Sequence, residues 1–158
     1  MGYNGAMSDS QHTDLLPAYL AVGEDALKRE AVIGRLKARL ATMGDLSFNS
    51  DEFDGEVAEG AAIAAACNTM PFASPVRLVY VRNADKLKKA DAEELVNYLK
   101  APSATTVLAC EAEKLAKNTR LYKALAAAGP KAVIDCAPPK SWELPKRVRA
   151  MALSLIHI

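Results

Sequence analysis

Val76-Arg77-Leu78-Val79-Tyr80-Val81 is the most strand-like run in the sequence, a short apolar segment rich in β-branched and aromatic residues. It is entered from Asn68-Thr69-Met70-Pro71-Phe72-Ala73-Ser74-Pro75, where two prolines and the residues before them resist helix. Strand and loop together place Met70 and Phe72 on a stiff turn at the end of a sheet. Composition alone favours tucking those apolar tips inward, because an apolar side chain is more often packed than presented. Immediately upstream, Glu56 to Cys67 is alanine-rich and reads as a helix. Helix, loop and strand in this succession are one unit of an α/β alternation.

The same alternation extends in both directions. Ala18-Tyr19-Leu20-Ala21-Val22 is a short apolar strand ended by Gly23, and Glu24-Asp25 place acidic residues at the start of a helical pattern. Along that helix Leu27, Ala31, Ile33, Leu36 and Leu40 follow the spacing of one buried face, and the pattern stops near Gly44. A second strand is expected over Leu46 to Phe53, before a turn at Asp54-Gly55. Beyond the third strand, Asp91 to Lys100 begins acidic, ends basic and is broken by Pro102, as a helix would be. Thr105 to Cys110 is a fourth strand. Asn118 is placed to cap a helix through Ala128, and Ala132 to Cys136 makes a fifth strand. Ser141 opens a last helical segment. Short apolar strands alternating with helices predict an α/β fold, a five-stranded parallel sheet with helices on both faces. Its centre should hold Leu20, Val22, Leu78, Val79, Val107, Leu108, Val133 and Ile134.

The chain has 158 residues, 51% hydrophobic and 25% charged, enough for one globular domain with a real core. Its 20 basic residues nearly cancel 19 acidic ones, so net charge gives no sign of a strongly basic surface for nucleic acid, and any such patch would be local. Cys67, Cys110 and Cys136 sit singly without CxxC spacing, as reduced core thiols of a cytoplasmic protein do, so neither a disulfide nor a metal site is expected. Residues 1–14 are small and polar and are expected to be a disordered leader. Residues 153–158, Leu-Ser-Leu-Ile-His-Ile, are what one frame of the transposase mosaic-end sequencing adapter encodes, so the natural chain is expected to continue beyond Ala152. Discounting His12 and His157 at these ends leaves residues 15–152 without histidine, which excludes His-based triads, zincin motifs and histidine proton shuttles.

A parallel sheet of this kind usually binds ligand beyond the carboxyl ends of its strands, where the loop after the first strand would hold a nucleotide. A phosphate loop requires GxxxxGK[ST], yet the sequence reads Gly23-Glu24-Asp25-Ala26-Leu27-Lys28-Arg29-Glu30. The second glycine and the hydroxyl are missing, and Glu24 and Asp25 would meet phosphate with like charge. After the third strand comes Arg82-Asn83-Ala84-Asp85 in place of an acidic pair for magnesium. The frame is that of a nucleotide-binding domain with a degenerate phosphate loop, and no cofactor is expected.

Leu16-Pro17-Ala18-Tyr19-Leu20-Ala21-Val22-Gly23-Glu24-Asp25, the Phe53-Asp54-Gly55 turn, Pro71-Phe72 ahead of Arg77 to Leu87, and Glu113-Lys114-Leu115 form an ordered set. From about Leu16 to Ala152 it resembles the amino-terminal domain of the delta subunit of the bacterial DNA polymerase III clamp loader. The resemblance implies an AAA+ fold over residues 15–152, related to P-loop NTPases, with strand order fifth, first, fourth, third, second. It also implies a helical lid and a carboxyl-terminal collar domain that this chain lacks, the collar joining the other clamp-loader subunits.

In that family the loop before the third strand presents an apolar wedge to the sliding clamp and promotes ring opening in DNA replication. Position by position, Phe72 matches the aromatic wedge residue and Pro71 stands where leucine or another apolar residue is common, with Met70 and Thr69 beside them. Met70, Pro71 and Phe72 are therefore the expected clamp-binding residues, and the resemblance turns Phe72 from a core residue into an exposed anchor. Such a subunit catalyses nothing with its own residues, although it belongs to a DNA-directed DNA polymerase holoenzyme and meets primed DNA indirectly. Arg82, Lys86, Lys88 and Lys89, with Lys114, Lys117 and Arg120, could share one edge of the sheet, but interleaved acids make a solvated rim the preferred reading and no DNA-contact residue is assigned. The alternative function is a small nucleotide-binding enzyme with an unconventional phosphate site around Gly23 and Lys28.

Overall fold

The computed structural model describes residues 15–138. In chain order the elements are β1 (Ala18–Val22), α1 (Ala26–Ala41), β2 (Ser50–Asp54), α2 (Gly60–Cys67), β3 (Arg77–Arg82), a 3-10 turn (Ala84–Lys86), α3 (Lys89–Leu99), β4 (Thr106–Ala112), α4 (Arg120–Ala126) and β5 (Val133–Asp135). The five strands form one sheet in the order β2-β3-β4-β1-β5, with every pairing parallel. This is the expected order read from the other edge, with the polar β2 at one margin. β4 lies at the centre and pairs Leu108 with Ala18 on one side and Val79 on the other.

Successive strand residues point to opposite faces, so each inner strand feeds two separate cores. On one face Leu20, Val79, Val81, Leu108 and Cys110 pack with Ile63 and Cys67 of α2, Leu95 and Tyr98 of α3, and Leu121 and Leu125 of α4. On the other, Ala21, Leu78, Tyr80, Val107 and Ala109 meet Ile33 and Leu40 of α1, together with Cys136. Among the described residues, three helices cover one face and one long helix covers the other. Leu20, Leu78, Val79, Val107 and Leu108 are buried as expected, while Val22, Val133 and Ile134 are only half-buried because they lie at the end of β1 and on the edge strand β5.

Several local expectations shift. α1 turns a different stripe inward, because Leu27 is 67% exposed and Ala31 also faces solvent, whereas Arg29, Ile33, Leu36 and Leu40 face the sheet. The physical reason is Glu111 on β4, which holds the Arg29 guanidinium at 2.9 Å and sets the rotation of the first turns. β2 begins at Ser50, so Leu46 and Phe48 lie in the turn before it. α2 begins at Gly60, Glu56 being part of a turn hydrogen-bonded to Asp54. α4 is capped by Thr119, whose hydroxyl accepts from the Tyr122 amide, and not by the exposed Asn118. The segment opened by Ser141, the leader and residues 153–158 lie outside the described residues.

α2 is short and nearly featureless, GAAIAAAC, and other elements hold both its ends. At its start the Gly60 amide donates to the Asp91 carboxylate of α3 at 2.9 Å, a cap supplied across the helix pair. A Cβ on Gly60 would sit 2.3 Å from the Asp91 carbonyl oxygen, so only glycine lets the two helices approach this closely. At its end the buried Thr106 hydroxyl of β4 donates to the Cys67 carbonyl at 2.7 Å, satisfying a terminal helix acceptor. Gly60→Ala should therefore cost about 2 kcal/mol of stability through overpacking, read as a lower midpoint in urea with the slope unchanged. Burial pushes the Cys67 thiol up to about 12 and raises that of Cys110 as well. Neither thiol should react with a disulfide reagent at pH 8 in the native chain, and both should react once urea unfolds it.

Candidate functional site

All strands run in one direction, so the sheet has a starting edge and a finishing edge. The loop between α2 and β3 lies at the starting edge. Met70 and Phe72 are each 72% exposed there, with Pro71 half-buried between them. Two large apolar side chains in water on one short loop are an unusual expenditure of surface, because burying either would be favourable by about 1.5–3 kcal/mol. The backbone beneath them is held at both ends and in the middle. Thr106 holds the Cys67 carbonyl where the loop departs, and the Thr69 hydroxyl donates to the Ala65 carbonyl at 2.9 Å.

In the middle, Asn49 inserts its side chain against the main chain of Phe72. Its Nδ2 donates to the Phe72 carbonyl at 2.9 Å and to the Asp45 carbonyl at 2.9 Å, and its Oδ1 accepts from the Phe72 amide at 2.5 Å. Ala73 then takes a left-handed conformation, φ 51°, which reverses the chain. On the far side the Ser74 hydroxyl closes a local turn with both the amide and the carbonyl of Val76. Gly44 lies directly beneath, since a Cβ there would fall 2.0 Å from the Ser74 hydroxyl.

The finishing edge holds the region where the alternative function would place phosphate. Gly23 has φ 146°, and a Cβ on it would lie 2.1 Å from the Cys136 carbonyl carbon. A close approach to the chain after β5 therefore accounts for this glycine. The Lys28 ammonium donates to the Ala137 carbonyl at 3.0 Å. Arg29 donates to the Gly23 carbonyl and pairs with Glu111, both side chains being mostly buried, and Glu111 accepts the Tyr80 hydroxyl at 2.5 Å. Burial, reinforced by that carboxylate, raises the Tyr80 phenol above its ordinary value. The basic residues singled out in the sequence lie in the segments that follow β3 and β4, on the finishing edge. Lys114 pairs with Glu24 at 3.5 Å, Arg120 with Glu93 at 2.9 Å and Arg82 with Glu52 at 3.8 Å.

The structure thus brings Met70, Pro71 and Phe72 together on a braced loop and separates them from Gly23 and Lys28 by the length of the sheet. Sequence reasoning missed Asn49, which it placed inside a strand, and Phe48, which is 69% exposed one residue earlier. The available signal was an asparagine in an otherwise strand-like run, a residue type that favours local backbone hydrogen bonds over a ladder position. Among the described residues no group of His, Cys, Asp and Glu could hold a metal ion, and no helix is long and apolar enough to cross a membrane.

The fold is similar to that of two solved structures. The Bacillus subtilis DNA clamp loader delta protein superposes with a TM-score of 0.71 at 24% identity, covering 98% of this chain and 48% of its own. A DNA polymerase III gamma subunit-related protein from Thermotoga maritima superposes with a TM-score of 0.59 at 17% identity, covering 84% of this chain and 44% of its own. The chain therefore spans about half the length of the solved structures it matches. No curated protein sequence gives a significant match. The family model for the DNA polymerase III delta subunit matches residues 19–136, all within the described domain and three-quarters of the chain, and on that match the chain belongs to the DNA polymerase III delta subunit family.

Proposed function

We propose that this chain is the clamp-contacting domain of a clamp-loader delta subunit, which seats the Met70-Pro71-Phe72 loop in an apolar pocket of the sliding clamp and promotes opening of the ring. The observation that carries this reading is the pairing of exposure with rigidity. Phe72 and Met70 are each 72% exposed while Asn49 fixes the Phe72 main chain at both its amide and its carbonyl. A loop that merely failed to pack its hydrophobes would have no buried side chain devoted to its backbone. A pre-ordered apolar anchor, in contrast, binds without the entropic cost of ordering itself.

On this reading the domain performs no ATP hydrolysis. Lys28 and Arg29 of the first turn of α1 are engaged with Ala137, Gly23 and Glu111, and acidic Glu24 and Asp25 border the same loop. Assembly with the remaining loader subunits would use the carboxyl-terminal collar domain that the family resemblance implies. DNA would be met through that assembly, and at the finishing edge Arg82, Lys114 and Arg120 are each paired with a carboxylate.

Truncating a buried aromatic anchor typically costs about 2 kcal/mol or more, roughly thirtyfold in affinity. Phe72→Ala should weaken binding to the cognate clamp by that order while leaving the thermal melt unchanged, and Met70→Ala should weaken it less. Equal clamp affinity in Phe72→Ala and the parent removes the wedge assignment. A separate titration addresses the nucleotide-binding alternative: the purified chain should show no saturable ATP binding by calorimetry. Binding that is present in the parent and lost in Lys28→Ala would overturn the non-catalytic reading.

A further inference from the structure

The buried polar side chains among the described residues are Asn49 and Thr106; Asn49 bonds to the main chain of Phe72 and Thr106 to the last residue of α2, where that loop departs. Thr106 has an ordinary explanation, since it satisfies the last carbonyl of α2. Asn49 has none in the ladder: its own carbonyl accepts the Leu78 amide at 2.8 Å, and its side chain is left to do something else. With the residue 0% exposed, both Nδ2 protons are used and Oδ1 has a partner, and the amide group matches donor to acceptor and acceptor to donor with the Phe72 peptide. The third contact, to the Asp45 carbonyl, ties the same side chain to the turn before β2. A buried amide satisfied in this way specifies one loop conformation, because any other leaves its hydrogen-bonding groups unpaired.

We propose that Asn49 is a positioning residue for clamp recognition, holding Phe72 in the presented conformation so that binding does not have to order the loop. The inference rests on the reading that Phe72 is the clamp anchor. It assigns Asn49 no contact with the partner; its effect passes through the main chain of Phe72.

The test uses the full chain, the cognate sliding clamp and amide hydrogen exchange. In the parent the Phe72 amide should be protected despite its exposed side chain. Asn49→Ala should remove that protection while leaving the Leu78 amide, bonded to the main chain of residue 49, protected as before. Clamp affinity should fall about tenfold, the order expected when a hydrogen-bonded loop must be ordered on binding. In a Phe72→Ala background the Asn49→Ala change should produce no further loss, because a loop without its anchor gains nothing from being held. Asn49→Leu keeps a similar volume but loses the acceptor for the Phe72 amide and both donations, and it serves the same comparison if the alanine variant does not fold. Equal loss of protection at Phe72 and Leu78 would make Asn49 a general stabiliser and overturn the proposal, as would additive losses in the double variant. Unchanged affinity in Asn49→Ala beside weakened affinity in Phe72→Ala overturns the positioning role alone, whereas unchanged affinity in Phe72→Ala removes the anchor reading itself.

Discussion

β4 is the constraint from which the rest of the structure follows. Six of its seven residues, Thr106 to Cys110 and Ala112, are buried, and its backbone bonds to β3 on one side and β1 on the other. A strand in that position has no water to satisfy its amides and no free face, so both ladders and both helical layers must be present together. The same strand fixes the ends of other elements. Thr106 at its start ties down the end of α2, and Glu111 near its finish anchors Arg29 and thereby the rotation of α1. One central strand therefore connects the braced loop at the starting edge to the ion-paired region at the finishing edge.

The asymmetry between those edges is chemical. At the finishing edge, carbonyls and carboxylates engage the cations: Ala137 and Gly23 take Lys28 and Arg29, and Glu111 takes Arg29 and Tyr80. At the starting edge Arg77 pairs with Asp51, and around the loop polar side chains bond to main chain while Met70 and Phe72 face outward. Asn49, Ser74 and Thr106 all work on backbone amides and carbonyls around Met70, Pro71 and Phe72. Hydrogen-bonded main chain with exposed apolar tips is the arrangement that the proposed anchor role requires.

Two departures show how local pattern and tertiary packing compete. The apolar spacing of α1 admits Leu27 and Ala31 to the inner stripe, but a single partly buried ion pair places Arg29 there. Turning Leu27 inward would carry Arg29 away and leave the mostly buried Glu111 carboxylate with the Tyr80 hydroxyl but without its compensating charge. Around β2, Leu46 and Phe48 alternate as a strand should, yet the ladder starts only at Ser50. Asn49 uses its side chain for the loop, and its amide closes a turn onto the Leu46 carbonyl.

The alternation of short apolar strands with helices, the parallel sheet and the cores on both faces were legible in the sequence, because burial of a strand on two faces demands continuous apolar runs such as Val76 to Val81 and Thr105 to Cys110. The loop at Met70 and Phe72 was legible as a stiff turn from its prolines, whose restriction on backbone angles is local. Whether its tips point inward or outward was not, since composition prefers burial and only family likeness argued otherwise. That outcome depends on Asn49 and Phe72, 23 residues apart, meeting across the sheet edge. A hydrogen bond between distant residues leaves no periodicity in the chain, so only the tertiary structure decided how this loop is held and what it presents.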